Sequence, residues 1–175
     1  MRLLLLLLIG LPFSVHAAEL FGVKLNNADQ AELRAAAKNA GANLIKEAGK
    51  FTFFDEYNSQ GVLDGSDRLY LGFSKQTKEF VFAEYEFHGI NRKTMLLKLK
   101  MKYGQPKIMK GKYISDKANI WMVDGVEVRY QIDWPNYKTR VSYTKTDLLP
   151  KLLAEKKKID AAILRGKLNK QASAY

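Results

Sequence analysis

One stretch decides the fold class: Val126-Glu127-Val128-Arg129-Tyr130-Gln131-Ile132-Asp133-Trp134. Apolar and polar residues alternate along it without a break, which is the period of a β-strand with one buried face. Pro135-Asn136-Tyr137 then forms a turn, and residues 139–144 return as a second strand with Val141 and Tyr143 pointing inward. The pattern predicts an antiparallel sheet.

A similar arrangement occurs earlier in the chain. Leu69, Leu71 and Phe73 alternate with polar or small residues. Residues 79–87 follow as another strand, with Val81, Ala83, Tyr85 and Phe87 on one face. Helices are predicted over residues 28–40 and 91–103, each before a group of strands and about 60 residues apart. We therefore predict an α+β fold, in which an antiparallel sheet is built from two tandem helix-plus-strands repeats with an extra C-terminal helix.

The predicted segments are a signal peptide at 1–17, a first repeat at 18–89, a second repeat at 90–145 and a basic amphipathic helix at 146–175. Leu152, Ile159 and Ile163 give that last helix an apolar stripe, which Lys156-Lys157-Lys158 interrupts. Two arrangements are open: the helix packs across the sheet, or it projects and binds a partner.

The N-terminus has the pattern of a secretory signal peptide. Arg2 is followed by eleven apolar residues at 3–13, and Val15-His16-Ala17 places small residues before Ala18. The apolar run is shorter than the roughly 20 residues that a membrane-spanning helix needs. We expect cleavage before Ala18 and a periplasmic or secreted mature protein without a transmembrane anchor.

Composition excludes several classes of site. The 175 residues include no cysteine and two histidines, so disulfides, zinc fingers and cysteine nucleophiles are excluded. Glu84, Glu86 and His88 alternate on one strand face, and two carboxylates with an imidazole could bind a metal or form an acid–base pair. We interpret them instead as the solvated face of a half-buried strand. Asp64-Gly65-Ser66-Asp67 is interpreted as a turn, because further calcium ligands are missing. We predict no catalytic, cofactor-binding or metal-binding residues.

Basic residues are concentrated in one segment. The whole chain has a net charge of +11, and residues 92–112 contain eight basic residues and no acidic one. The candidate polyanion patch consists of Arg92, Lys93, Lys98, Lys100, Lys102, Lys107, Lys110 and Lys112. Its possible ligands are anionic lipid or lipopolysaccharide, while we do not expect nucleic acid to be a partner. The alternative interpretation is a solvated helix face.

A second set of residues predicts a protein-binding face. Strand alternation places several aromatic and polar side chains opposite the predicted core, and protein interfaces favour aromatic residues and arginine. The candidate partner face consists of Tyr70, Phe82, Trp121, Arg129 and Gln131. The competing interpretation is that these residues form a second core, or that the C-terminal helix covers them.

The order of elements, with the passage Tyr103-Gly104-Gln105-Pro106 between helix and strand, resembles the β-lactamase-inhibitor-like fold and the related outer-membrane-assembly lipoproteins. The resemblance implies tandem units of one helix and four strands, and it transfers no functional residue. We expect an exported, soluble, non-catalytic binding protein of the bacterial envelope that acts on an envelope or secreted protein. The alternatives are a basic polyanion- or lipid-binding periplasmic protein and an enzyme of unrecognised class.

Overall fold

The computed structural model describes residues 17–49, 53–88, 91–111, 117–133 and 136–172. The apolar run of the predicted signal peptide, Lys112 and Trp134 lie outside the described residues. The elements in chain order are β1 Glu19–Leu20, β2 Val23–Lys24, α1 Gln30–Asn39, β3 Asn43–Lys46, β4 Phe54–Asn58, β5 Ser66–Phe73, β6 Phe80–Phe87, α2 Arg92–Tyr103, β7 Lys107–Met109, β8 Ala118–Val123, β9 Val126–Ile132, β10 Thr139–Lys145 and α3 Leu149–Ala172.

Eight strands form one antiparallel sheet in the order β3-β4-β5-β6-β10-β9-β8-β7. The predicted α+β class, the antiparallel sheet and the C-terminal helix are confirmed. The central pair joins β6 to β10, strands more than 50 residues apart in sequence, with Val141 opposite Tyr85. That pairing makes the sheet continuous, and no local pattern in the sequence predicted it.

A side-chain cap begins each of helices α1 and α2, and a glycine follows each helix. The Asp29 side chain accepts a hydrogen bond from the Glu32 backbone N–H, and Asn91 accepts one from Thr94 in the same way. Gly41 and Gly104 follow the two helices with φ of +91° and +80°, a conformation that glycine adopts without strain.

Both helices pack on the same face of the sheet, which we call the inner face. Leu33 and Ala37 of α1 and Met95 and Leu99 of α2 are buried in one apolar cluster with the inward side chains of the strands. These pairs are four residues apart, so each lies on one side of its helix. The opposite face of the sheet, which we call the outer face, receives neither helix.

Strand β6 contains an irregularity that alternation alone does not predict. Gly72 pairs with Phe82, whereas the next residue of β5, Phe73, pairs with Phe80, so Val81 is an extra residue in β6. Phe80 therefore joins the inner cluster, and Val81 packs on the outer side against Phe53 and Leu152. The alternation had predicted Val81 on the same face as Ala83, and this placement was wrong.

A short hairpin precedes α1 and was not predicted. β1 and β2 pair across Phe21-Gly22, which have φ of +53° and +80° and so form a tight two-residue turn. Leu20 and Leu25 are buried in the inner cluster. The hairpin therefore covers part of the core beside α1.

Candidate functional site

The outer face of β5, β6, β10 and β9 is a polar surface with ordered rows of side chains. In one row, Tyr70, Glu84, Ser142 and Arg129 lie opposite one another on successive strands. Arg68, Glu86, Arg140 and Gln131 form the neighbouring row in the same way. Most of these side chains are half-buried, so the face is accessible but closely packed laterally.

Arg140 is the centre of an ion-pair network on this face. Its guanidinium nitrogens lie 3.3 Å from Glu84 Oε1, 3.0 Å from Glu86 Oε1 and 2.8 Å from Asp133 Oδ2. Lys138 Nζ adds a second contact of 3.0 Å to Glu86. Two further pairs, Arg68–Glu56 and Arg129–Glu127, lie on either side of this network. The charges of the outer face therefore compensate one another, and their side chains are held in place before any partner arrives.

Burial opposes the charge on Glu84. Removal from water raises the pKa of this carboxyl, the neighbouring Arg140 guanidinium partly lowers it again, and the carboxylates of Glu86 and Asp133 raise it further. The network thus contains one carboxyl group whose charged form is disfavoured by burial, beside an arginine that several acidic groups share.

The structure places four of the five predicted partner residues on the outer face. Tyr70 lies edge-on to Phe54, with ring centroids 5.2 Å apart, and both rings are half-buried. Arg129 and Gln131 point from β9 to the same side as Tyr70. Phe82 also lies on this face, but it packs against the cluster around Leu152, so α3 partly covers it.

Trp121 was predicted on the partner face, and that prediction is wrong. It pairs with Val128, lies in the inner cluster, and donates a hydrogen bond of 2.8 Å from Nε1 to the Gly104 carbonyl. The cause is the sequence of β8, in which Ile120, Trp121, Met122 and Val123 form an apolar run. Without alternation, the sequence does not show on which side of the sheet each side chain lies. Ile120 and Met122 occupy the outer side instead.

Helix α3 covers only one end of the outer face. Leu152 is buried against Phe53 and Val81, with its Cδ2 3.6 Å from the position that a Cβ on Gly72 would occupy. Ile159 packs on the margin of the same cluster, and Ile163 is half-buried. Leu153, Leu164 and Leu168 are exposed. The predicted stripe thus reaches the sheet through Leu152 and Ile159, and Tyr70 is not among the side chains described as packing on this cluster.

The basic segment forms a separate surface on α2 and β7. Among the described residues of this segment, Lys93, Lys98, Lys102, Lys107 and Lys110 are exposed, and none of them forms an ion pair. Arg92 differs, because it donates a hydrogen bond to the Tyr137 carbonyl and stacks over the Tyr137 ring. Lys100 is half-buried.

Sequence reasoning missed a buried ion pair on the inner side. Arg34 donates from Nε and Nη2 to the two oxygens of Asp55, each at 2.8 Å, and the Asp55 side chain is fully buried. Asp55 also accepts hydrogen bonds from the Ala48 backbone N–H and the Tyr57 hydroxyl. Burial and the Asp55 carboxylate raise the pKa of Tyr57, so its hydroxyl stays a donor. The available signal was an acidic residue, Asp55, within the aromatic-rich run at 53–57.

The carboxylates and histidine considered for a metal site are used elsewhere. Glu84 and Glu86 pair with Arg140, whereas His88 Nδ1 contacts the Asp67 carboxylate, and this contact lowers the pKa of Asp67. Within the part of the chain that the structure describes, no three acidic or histidine side chains converge as metal ligands would. No described helix is long and apolar enough to cross a membrane.

Comparison with known proteins gives limited information. No family model matches this chain, and no curated protein matches it. A solved structure that partly resembles it is that of a DUF4309 family protein, YjgB, from Bacillus subtilis. The two chains are 14% identical, the match covers 74% of this chain and 87% of the other, and the TM-score is 0.47. We infer neither fold nor function from this similarity.

Proposed function

We propose that this protein is an exported, non-catalytic binding protein of the bacterial envelope, and that the outer face of the sheet binds a protein partner. One observation carries the proposal: the outer face of β5, β6, β10 and β9 lies opposite both core helices, and α3 covers only its end. A side of a sheet that remains accessible, with aromatic and arginine side chains on it, has the composition of a protein interface.

The charges of this face favour a protein over a polyanion. Arg68, Arg129 and Arg140 each pair with at least one carboxylate of the same surface. A polyanion would compete with these carboxylates, whereas a protein surface can offer both signs of charge in complementary positions. Tyr70 adds a large ring at low entropic cost, which suits an interface anchor.

We also propose that the sheet is a tandem repeat, as the resemblance to the β-lactamase-inhibitor-like fold implies. Each helix is followed by four strands, and the fourth strands, β6 and β10, meet at the centre of the sheet. An experimentally determined structure tests this, because α1 with β3–β6 should superimpose on α2 with β7–β10. Superposition that fails beyond two strands would overturn the repeat.

Export is part of the proposal and has its own test. The mature protein should begin at Ala18, because Val15-His16-Ala17 has the form of a cleavage site. Intact-mass measurement on periplasmic or secreted material decides this. Full-length chain recovered from the membrane fraction would contradict it.

Affinity capture tests the binding face. The mature protein, immobilised by an N-terminal tag, is exposed to envelope extract of the native host. The parent protein should retain a specific partner. The variant Tyr70→Ala/Arg129→Ala should retain at least tenfold less of it, because a few large side chains dominate interfaces. The matched control Glu32→Ala/Lys38→Ala changes exposed residues of α1 and should retain the partner. Equal retention by both variants would refute the assigned face.

A second candidate function is polyanion binding by α2 and β7. The exposed lysines without ion pairs favour it, since an uncompensated positive surface attracts polyanions. Lys98→Gln/Lys100→Gln/Lys102→Gln should elute from a heparin resin at lower salt than the parent while remaining folded. Elution at the same salt concentration would show that other basic residues hold the protein on the resin, and those of α3 are the next candidates.

A further inference from the structure

The solvent side of α2 has an apolar stripe between two rows of lysines. Leu97 and Met101 are four residues apart and therefore lie on one side of the helix, opposite the buried Met95 and Leu99. The exposed fractions of Leu97 and Met101 are 58% and 77%, large values for apolar side chains. A helix that is apolar on two opposite sides needs a second apolar environment besides the core.

The lysines are arranged around this stripe. On a helical projection, Lys93 and Lys100 flank it on one side, and Lys98 and Lys102 flank it on the other. No acidic residue occurs in α2. Lysine side chains can lay their alkyl stems along an apolar layer while their ammonium groups reach outward to phosphates.

The orientation of α2 is fixed at both ends. Near its start, the Tyr130 hydroxyl donates a hydrogen bond of 3.2 Å to the Arg92 carbonyl. At its end, Trp121 Nε1 donates to the Gly104 carbonyl, and the Trp121 ring contacts Tyr103. With Met95 and Leu99 anchored below, Leu97 and Met101 cannot rotate into the core. They are presented to the exterior permanently.

We propose that α2 is a membrane-docking surface, which inserts Leu97 and Met101 at the headgroup level of an anionic phospholipid bilayer. This inference deepens the second candidate function and rests on it. Charge complementarity identifies the occupant: the stripe is surrounded by cations alone, so a neutral apolar partner would leave them unmatched. A soluble polyanion would match the cations and leave the stripe in water. An anionic bilayer satisfies both, because phosphates overlie an apolar layer.

Vesicle co-sedimentation tests the proposal on the mature chain. The protein should bind vesicles containing about one-third phosphatidylglycerol and not vesicles of phosphatidylcholine alone. Leu97→Ser/Met101→Ser should weaken vesicle binding by about tenfold, because the variant no longer has two apolar side chains that insert into the bilayer. Because both side chains are exposed, the folded state should be unaffected, as far-ultraviolet circular dichroism would verify. Met122→Ser, which changes a residue 61% exposed on β8, is the matched control and should bind as the parent does.

Two triple variants with equal net charge test whether the position of the lysines matters. Lys93→Gln/Lys98→Gln/Lys102→Gln should weaken vesicle binding by at least tenfold. Lys24→Gln/Lys38→Gln/Lys46→Gln removes the same charge from exposed positions outside α2 and should weaken it much less. Equal loss in the two triple variants would overturn the proposal, because binding would then follow net charge.

A local probe separates a bilayer from a soluble polyanion. Since the chain has no cysteine, Met101→Cys provides a single site for an environment-sensitive dye. Its emission should shift to the blue with anionic vesicles and stay unchanged with heparin, whereas dye at Met122→Cys should not shift with either. Vesicle binding without a shift at position 101 would overturn the docking surface. Heparin retention that depends on the α2 lysines would still support polyanion binding, so the two failures are distinguishable.

Discussion

Removal of α3 tests whether this helix only covers one end of the outer face. The change is a deletion of residues 146–175 from the mature protein, which retains β10. Among the described residues, the inner cluster contains none from α3, and its members come from the two other helices, the strands and the segments that flank them. The deletion should therefore leave the main core intact and remove one satellite cluster.

The size of the effect follows from the contacts. Leu152, with 9% exposure, is the buried side chain of α3, and Leu148 and Ile159 pack partly on the same cluster. Full burial of a leucine stabilises by about 2 kcal/mol, and each partial burial by about half of that. Lost rotamer freedom in these three side chains, about 0.5–1 kcal/mol each, offsets roughly half of the total. We expect a net loss of about 2 kcal/mol, or a fall in Tm of about 4–8 °C for a chain of this size.

Thermal and urea unfolding, followed by circular dichroism, measure this loss. Deletion of residues 166–175 is the control, because the described side chains at 166–169 are exposed and the midpoint should not move. An unfolded deletion variant would refute the reasoning by making α3 part of the essential core. An unchanged midpoint would also refute it, by showing that Leu152 does not hold the helix on the sheet.

Three further predictions follow from individual side chains. Arg34→Ala should lower the free energy of unfolding by about 2–3 kcal/mol, because the fully buried Asp55 side chain loses its bidentate hydrogen-bond partner; a urea midpoint equal to that of the parent would contradict this. Glu84→Gln should be at least as stable as the parent at pH 7 and lose that advantage near pH 4. The sign follows because a raised folded-state pKa gives a contribution to stability that is full at low pH and is lost as pH rises through that pKa; a large loss at pH 7 would contradict it. A chelator should leave the thermal midpoint unchanged, because the described residues form no ligand cluster, and a fall of several degrees would show that a metal was missed.

The sequence predicted elements where local patterns were strong. The alternation in β5 and β9 was sufficient to predict these strands, and the helices predicted over 28–40 and 91–103 agree with α1 and α2 to within two residues at each end. Trp121 was misplaced because β8 is an apolar run, and Val81 because a bulge adds one residue to β6. Neither effect has a local signature that alternation can reveal.

Long-range arrangement was beyond the reach of sequence patterns. The pairing of β6 with β10 depends on the packing of the whole sheet, and the ion pair between Arg34 and Asp55 joins residues 21 positions apart. The apolar stripe of α2 was also overlooked, because Leu97 and Met101 resemble core residues until Met95 and Leu99 are known to fill the core side. The side of the sheet on which Tyr70, Arg129 and Gln131 lie was predictable because these residues belong to strands whose alternation is regular.

Photo-crosslinking tests the central claim, partner binding at the outer face, most directly. A photoreactive phenylalanine analogue replaces Tyr70 in one variant and the exposed Glu32 of α1 in another. Each variant is expressed as the 175-residue chain in the native host. The account predicts a discrete crosslinked protein from position 70 that is absent from position 32. A crosslink from position 32 alone, or none from position 70 while the captured partner is present, would contradict it.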